Sequence, residues 1–179
     1  MREHGVLRRV MYLYDEAAMR IEGGREVPLD AVAAGAGIIR RVIEDYHEKS
    51  EENFVFPRFE KAGKLADLTA VLRRQHEVGR ALTDQIIALA KGPLDVKLAT
   101  VLRSFNHMYR PHASREDTEL FPELRELIGA HEYEELGEQL EDQEKQILGD
   151  HGFEHAVVDV AKLEVAFGVN DLAKLTPSV

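Results

Sequence analysis

The sequence predicts an all-α protein whose main unit is an up-and-down four-helix bundle, with additional C-terminal helices packed on it. Four segments of about 20 to 35 residues carry apolar side chains at spacings of three and four, the pattern of amphipathic helices. Short breaks that contain glycine or proline separate these segments. Charged residues make up 31% of the chain and aromatic residues only 7%, which suits helices with one polar face. Short connections between long helices favour neighbours that run in opposite directions.

The first predicted hairpin joins residues 3–22 to a second helix that ends near residue 62. A pair of glycines ends the first helix, and Pro28 then occupies a position suited to the first turn of the next one. Gly35 and Gly37 are poor helix formers, so either the close approach of a neighbouring helix or an irregular start would explain them. The inner face of the first helix is an apolar stripe of Val6, Val10, Leu13, Ala17 and Ile21.

The second predicted hairpin joins residues 65–91 to residues 94–128, across the break Gly92-Pro93. Pro111 lies inside the second of these helices. It should bend the helix, because proline cannot donate a backbone hydrogen bond to the carbonyl of His107. Gly129 ends the helix.

The residues after the bundle have a different composition. Residues 131–148 are strongly acidic and only modestly apolar, which predicts a surface helix. Another helix follows at residues 153–167, and residues 170–175 add a last turn. No stretch rich in proline, glycine or serine marks a linker. We therefore divide the chain into a four-helix bundle, residues 1–128, and a C-terminal helical extension of the same globular unit, residues 129–179.

The composition excludes several function classes. The chain has 33 Asp and Glu against 23 Lys and Arg, a net charge of −10, which argues against nucleic acid or an anionic membrane as a partner. It has no cysteine, which excludes a disulfide scaffold, a thiolate zinc site, an iron–sulfur cluster and a cysteine nucleophile. No apolar run approaches the ~20 residues that span a bilayer, and the first residues lack the apolar segment of a signal peptide. We expect a cytoplasmic protein.

A repeated motif is the main functional signal. The stretches HEKSEENFVFP and HASREDTELFP both follow the pattern His-x3-Glu-x4-Phe-Pro, and they stand 65 residues apart. Residues four apart lie about 40° apart around a helix, so each copy aims an imidazole and a carboxylate at the same point. The two pairs are His47 with Glu51 and His112 with Glu116.

A second repeat adds two lone histidines. The stretches EHGVLR and QHEVGR both follow Glu/Gln-His-x-Val-x-Arg, so His4 corresponds to His76. Four imidazoles and two carboxylates suit two metal ions with bridging carboxylates. Nitrogen and oxygen donors favour iron here, with manganese or zinc less suited. The predicted metal ligands are His4, His47, Glu51, His76, His112 and Glu116.

A simpler interpretation is that these residues are structural. A single histidine on an apolar face is more often a hydrogen-bonded core residue, and an i,i+4 His–Glu pair often only supports a surface helix. The matching pairs and matching lone histidines weigh against it, because burying so many polar groups in one bundle is costly without a metal.

The same stretches resemble the hemerythrin-like family, also called the HHE cation-binding domain. The resemblance rests on EHGVLRRV, HEKSEENFVFP, RRQHEVGR and HASREDTELFPEL, and it covers residues 1 to about 128. It implies a four-helix bundle around a non-haem di-iron centre, oxo- or hydroxo-bridged, that binds dioxygen, nitric oxide or peroxide. Two departures separate the chain from oxygen-carrying hemerythrins. Arg80 stands where they have a second histidine, and His112 is followed by Glu116 instead of a His-x4-Asp pair, as in bacterial and iron-sensing members.

Four further residues are candidates for additional ligands or for contacts around the site. Glu48 follows His47, as in family variants in which this glutamate also ligates, although a solvated role is an alternative. His107 lies about 140° from His112 on an ideal helix, and only a bend at Pro111 would bring it closer. Tyr109 and its repeat equivalent Glu44 could hydrogen-bond a ligating imidazole, or could be a packed tyrosine and a solvated glutamate. The remaining histidines are predicted surface residues: His131, His151 and His155.

The motif leaves three functions open. The centre could bind or sense a small diatomic or peroxide ligand. It could be an enzyme of oxidative or nitrosative stress, which turns over peroxide or nitric oxide or donates iron for repair. The chain could also be an interaction module, with acidic C-terminal helices for a protein partner and a metal that only stabilises the fold. His4 lies in the first turn of its helix, where fraying is expected unless the turn is tethered.

Overall fold

The computed structural model describes residues 2–177, and it confirms the predicted fold class. The described part of the chain contains helices and no strand. The four helices of the bundle are α1 (Glu3–Glu22), α2 (29–62), α3 (Ala66–Ala90) and α4 (96–128). Helix α1 packs against α2 and α4, and α3 packs against the same two helices, as an up-and-down bundle requires.

Helices α2 and α4 change helix type where they carry a His–Glu pair. In chain order, α2 comprises the α-helix Leu29–Ile38, the π-helical segments Ile39–Glu48 and Glu51–Val55, and the α-helix Phe56–Ala62. Helix α4 is α-helical over Val96–Arg115 and π-helical over Glu116–Leu120. The segments Glu51–Val55 and Glu116–Leu120 stand at the same offset as the sequence repeat. π-Helical turns hydrogen-bond over five residues and occur mostly at functional sites, so the duplication extends to the local backbone.

The C-terminal helices begin at a glycine break. Pro111 lies inside α4 without ending it, whereas Gly129 has φ 77° and ψ 165°, which ends the helix as predicted. The helices that follow are α5 (130–148), α6 (Gly152–Phe167) and α7 (Leu172–Leu175). Helix α6 packs on α1 and α2, and α5 packs on the segment Ile39–Glu48. No helix within residues 2–177 combines the length and the apolar character needed to cross a bilayer.

Gly35 allows α1 and α6 to approach α2 closely. A Cβ atom at Gly35 would lie 3.4 Å from Val10 of α1 and 3.7 Å from Leu163 of α6. Close approach therefore explains this glycine, as the sequence suggested. It does not explain Gly37, where a Cβ atom would meet no described atom within 4 Å.

Two apolar clusters fill the bundle, and the predicted ligands lie between them along the helices. The larger cluster includes Ile43 of α2 and Phe105 of α4, which precede the His–Glu pairs. The smaller cluster includes Val55 of α2 and Leu120 of α4, which follow them. The six polar residues thus form a layer with apolar packing on either side, which shields them from water.

Candidate metal centre

The structure brings the six predicted ligands together in the middle of the bundle. They come from all four helices, one from α1, two from α2, one from α3 and two from α4. Each is almost completely buried, with exposed fractions of 1% for His4, 2% for His47, 0% for Glu51, 0% for His76, 4% for His112 and 0% for Glu116. Burial of this many ionisable groups is unusual in a protein interior and requires compensating interactions.

His4 and His47 form one half of the centre with Glu116. The Nε2 atoms of the two histidines lie 3.0 Å apart. Glu116 Oε2 lies 3.2 Å from Nε2 of His4. One donor atom from each of the three residues lies within 4.8 Å of the others, a grouping that could hold a metal ion.

His76 and His112 form the other half with the same glutamate. Glu116 Oε1 lies 2.8 Å from Nε2 of His112 and 3.9 Å from Nε2 of His76. These three residues form a second grouping within 4.8 Å. The two carboxylate oxygens of Glu116 therefore face opposite histidine pairs.

Glu51 spans the two halves in the same way. Its Oε1 lies 3.6 Å from Nε2 of His47, and its Oε2 lies 3.4 Å from Nε2 of His76. Each half can thus draw on two imidazole nitrogens and on one oxygen from each glutamate. This is the donor set of a pair of cations joined by two carboxylates.

The Nδ1 atoms of the histidines point away from the centre toward polar partners. Asp117 Oδ1 lies 2.9 Å from Nδ1 of His4, and Glu52 Oε1 lies 3.2 Å from Nδ1 of His76. In each half an arginine from the lone-histidine motif holds that acid, since Arg8 donates to Asp117 and Arg80 donates to Glu52. Carboxylates that fix the tautomer and orientation of an imidazole are typical of histidines that bind metal through the other nitrogen.

The paired histidines have equivalent outer partners. Gln75 Oε1 lies 2.9 Å from Nδ1 of His112. Glu3, which matches Gln75 in the repeat, has Oε2 at 3.8 Å from Nδ1 of His47, longer than a hydrogen bond. Burial would raise the pKa of Glu3, but the neighbouring His47 lowers it to about 2, so this carboxylate is ionised at neutral pH.

These outer partners were not predicted, although the sequence repeats contained the signal. The first and last residues of each lone-histidine motif, Glu or Gln and Arg, are the residues that contact the outer nitrogens and acids. The residue after each paired glutamate is acidic in both copies, Glu52 and Asp117. A repeat that kept only its histidine would not need to match at these positions as well. The matches could therefore have been used to assign these residues to the site.

The buried atoms at the centre indicate that a cation fits there. Among residues 2–177, the buried side-chain atoms without a hydrogen-bond partner include both carboxylate oxygens of Glu51 and of Glu116, and Nε2 of His76. Glu116 keeps ion-pair contacts with His4 and His112, but the lack of well-oriented hydrogen bonds at these buried atoms still costs free energy. A cation coordinated by these atoms would satisfy them at once.

Comparison with known proteins identifies the family. The model of the hemerythrin HHE cation-binding domain matches residues 1–124. The chain belongs to the hemerythrin HHE cation-binding family. An uncharacterised protein of Mycobacterium bovis and those of two Mycobacterium tuberculosis strains are each 43% identical to it over 184 residues, which cover 99% of this chain and 72% of the relatives. No solved structure matches the chain. The family supports cation binding, and the similarity to the mycobacterial proteins extends beyond the hemerythrin domain into the C-terminal helices.

Protons compete with a cation for the hemerythrin centre. Burial would lower the pKa of His47 and of His76, but the surrounding glutamates outweigh it and raise the pKa to about 9 for His47 and about 11 for His76. Both imidazoles are therefore protonated on both nitrogens, and positively charged, at neutral pH when no metal is bound. A cation must displace these protons, so its affinity falls as the pH falls.

Glu48 and Tyr109 form a buried pair beside the hemerythrin centre. The Tyr109 hydroxyl donates a hydrogen bond of 2.6 Å to Glu48 Oε1, and Arg80 lies 3.0 Å from Glu48 Oε2. Glu48 is 1% exposed, so the alternative of a solvated role is wrong. Glu48, Glu52 and His76 also have donor atoms within 4.8 Å, but Arg80 contacts both acids of this grouping. The positive charge of Arg80 thus compensates the negative charge of the two acids, which leaves less of it to attract a cation.

His107 does not face the centre. The side chain is exposed, and it belongs to none of the groupings of metal-binding side chains found in the described part of the chain. Helix α4 continues through Pro111, so His107 stays on the side of the helix that ideal geometry predicts. The suggestion that a bend brings His107 to the metal is therefore wrong. His131, His151 and His155 are exposed, as predicted.

Glu44 is buried instead of solvated, contrary to one of the two alternatives. It is 0% exposed and lies 2.9 Å from Arg40, its ion-pair partner. Burial raises the pKa of Glu44 to about 7; the charge of Glu48 adds to the rise, whereas Thr83 and Arg40 oppose it. Its repeat equivalent Tyr109 is also buried, so both positions face the interior of the bundle.

We expect Glu44→Gln to stabilise the metal-free protein at about pH 8 by roughly 2 kcal/mol, and to have much less effect at about pH 5. Above pH 7 the carboxylate is charged in both folded and unfolded chains, so the cost of burying the charge is fully present. It disappears as the pH falls toward 4.5, because the folded state takes up a proton first. Urea unfolding in the presence of a chelator at both pH values measures the difference. Asp45→Asn, an exposed neighbour, should change the free energy of unfolding by less than about 0.5 kcal/mol at either pH.

Proposed function

We propose that the protein holds a carboxylate-bridged, non-haem di-iron centre that binds a small diatomic or peroxide ligand. The ligands are His4 and His47 for one iron, His76 and His112 for the other, and Glu51 and Glu116 for both. The observation that carries this proposal is the position of Glu116, whose two oxygens face opposite histidine pairs. Glu51 supports it, because its two oxygens divide in the same way between His47 and His76.

The donor set favours iron over the alternatives. Imidazole nitrogens and carboxylate oxygens suit iron, whereas tetrahedral zinc would use fewer of these donors and magnesium would prefer oxygen alone. Manganese is less favoured by a site with four imidazoles. Two histidines and two shared carboxylates for each ion leave room for a further ligand. When bound, an iron pair supplies redox chemistry and a binding position for such a ligand.

Aromatic rings pack against two of the histidines, and a cavity lies beside the first turn of α1. Phe56 stacks on His76 with ring centres 5.5 Å apart, and Phe121 lies 6.1 Å from the ring of His4. A cavity of about 340 Å³ between α5 and the bundle is lined by Glu3 and Phe121, among other residues. Its largely apolar wall suits an uncharged diatomic molecule. The closed apolar end keeps water from the carboxylates, which strengthens their hold on a cation.

Turnover of peroxide or nitric oxide is the second candidate, and one observation favours it. Reduction of either molecule consumes protons, and the Tyr109 hydroxyl donates a hydrogen bond to Glu48 while the Tyr109 ring lies 5.3 Å from the ring of His112. Burial raises the pKa of the Glu48 carboxyl, although His76, Tyr109 and Arg80 oppose the rise. Steady consumption of hydrogen peroxide or nitric oxide by the iron-loaded protein, supplied with an added electron donor, would favour this function, whereas stoichiometric binding without turnover under the same conditions would favour a binding or sensing role.

Metal analysis with an optical spectrum tests the proposal. Metal-free protein is offered ferrous iron, manganese or zinc in turn, passed through a desalting column and assayed for bound metal. We expect about two irons per chain and, after oxidation, charge-transfer absorption that changes when azide is added. Retention of about one zinc per chain, with no iron and a featureless spectrum, would contradict the di-iron centre.

A further inference from the structure

His4 differs from the other three histidines in its place along the helix. It is the second residue of α1, whereas His47, His76 and His112 lie well inside their helices. The first turn of a helix lacks intrahelical partners for its N–H groups and frays readily. A side chain in such a turn can hold a cation only if other contacts keep the turn in place.

The C-terminal helices supply these contacts through Arg2. Nη2 of Arg2 lies 2.7 Å from Oε1 and 2.6 Å from Oε2 of Glu144 in α5. The guanidinium of Arg2 also lies 4.4 Å above the ring of Phe153 in α6. Glu144 is only 8% exposed, although most of α5 is solvated. A partly buried ion pair with a cation–π contact stabilises a contact more than an exposed ion pair does.

The same part of α5 is attached to the residues around His47. Tyr46 donates a hydrogen bond of 3.2 Å to the carbonyl of Leu140. Ser50 Oγ donates to the carbonyl of Tyr46 at 2.7 Å and lies 3.1 Å from Gln143 Oε1. Residues 140–144 therefore contact α1 beside His4 and α2 beside His47, the two histidines of one half of the centre.

We propose that residues 140–144 of α5, with Phe153 of α6, form a clasp that holds the first turn of α1 and thereby positions His4 at the cation site. Glu144 is accordingly a positioning residue for the centre, although it lies beyond the hemerythrin domain at residues 1–124. The clasp rests on the proposed function, since it concerns a ligand of the proposed centre.

The test compares Glu144→Gln with a matched control, Glu164→Gln. Arg9 and Glu164 form another two-hydrogen-bond ion pair between α1 and α6, with distances of 2.7 and 2.6 Å, but farther along α1 from His4. Both variants lose a similar ion pair, so a merely structural effect would be similar in the two. Amide hydrogen exchange of residues 5–8, whose N–H groups can be hydrogen-bonded within the helix, is followed in metal-free protein. Transfer of ferrous iron to a chelator is followed in loaded full-length protein.

We expect Glu144→Gln to accelerate amide exchange in residues 5–8 and the release of one of the two irons by about tenfold, within the range known for residues that orient metal ligands. Glu164→Gln should change neither rate by more than about twofold. Arg2→Gln should reproduce the effect, and the double variant Arg2→Gln/Glu144→Gln should add nothing further, because both changes remove the same contact.

The exchange measurement separates this proposal from the proposed function. If the wild-type protein binds no iron, the di-iron centre is wrong, yet amide exchange still reports whether Glu144 holds the first turn. Equal exchange in Glu144→Gln, Glu164→Gln and wild-type protein would overturn the clasp. If Glu144→Gln does not fold, Arg2→Gln provides the same comparison from the exposed side of the contact.

Discussion

Glu116→Gln is expected to abolish stable metal binding in both halves of the centre. Glu116 Oε1 lies 2.8 Å from Nε2 of His112, and Oε2 lies 3.2 Å from Nε2 of His4. The amide keeps the shape of the side chain but removes the charge and replaces one acceptor by a donor. Loss of one partner from a buried charged contact costs about 3–5 kcal/mol, which corresponds to roughly 100- to 4,000-fold in affinity.

The measurement is the amount of iron retained per chain after desalting, together with the affinity from competition with a chelator. Glu119→Gln is the matched control, because it lies three residues farther along the same π-helical segment and pairs with exposed Arg115. It should retain wild-type iron. Glu48→Gln should lose less iron than Glu116→Gln. Equal losses from these two variants would mean that Glu116 does not bridge the two ions.

Gly79→Ala is expected to lower the free energy of unfolding by roughly 2–3 kcal/mol. A Cβ atom at Gly79 would overlap the Tyr109 hydroxyl and lie 2.7 Å from Cζ and 3.0 Å from Cε2 of the same ring. Tyr109 cannot move aside easily, because it is 0% exposed and its hydroxyl donates a hydrogen bond to Glu48. Its ring also contacts His112, with centres 5.3 Å apart. Alanine otherwise stabilises a helix by about 1 kcal/mol relative to glycine, so the steric overlap must exceed that gain.

Urea unfolding of the metal-free protein measures the effect, and Gly37→Ala is its control. Gly37 also lies in a helix, and a Cβ atom there meets no described neighbour within 4 Å, so the control should gain up to about 1 kcal/mol. Gly79→Ala/Tyr109→Phe should lose less stability than the sum of its single changes, because the hydroxyl that overlaps most is gone. A stabilised Gly79→Ala variant would show that Tyr109 does not pack against α3 in this way.

The sequence predicted the bundle and a grouping of histidines and glutamates inside it for a clear physical reason. Helical periodicity depends only on local spacing, so the apolar stripe of α1 and the faces of the His–Glu pairs could be read before any tertiary contact was known. The 65-residue repeat then implied that the two halves of the chain would present the same groups. The residues chosen on these grounds lie together in the structure, and the outer partners were present in the same repeats.

The predictions that failed concern residues whose environment depends on other helices. Glu44 and Glu48 could have been solvated on a helix considered alone, but packing in the bundle buries both. The π-helical segments were not predicted, because a periodic pattern read at α-helical spacing does not register a local change in backbone hydrogen bonding. The suggestion that His107 reaches the metal required a bend at Pro111. The helix continues through Pro111 and leaves His107 exposed.

By itself, the sequence determined the all-α fold, the number and order of the bundle helices and the duplicated set of histidines and glutamates. Only the tertiary structure decided how these groups are shared. It divides the two oxygens of Glu51 and of Glu116 between histidine pairs from different helices. It also brings Glu144 to Arg2 across 142 residues of sequence, so that α5 can hold the turn that carries His4. Spacing along one helix fixes which face a side chain occupies, but the partner it meets depends on how the helices pack.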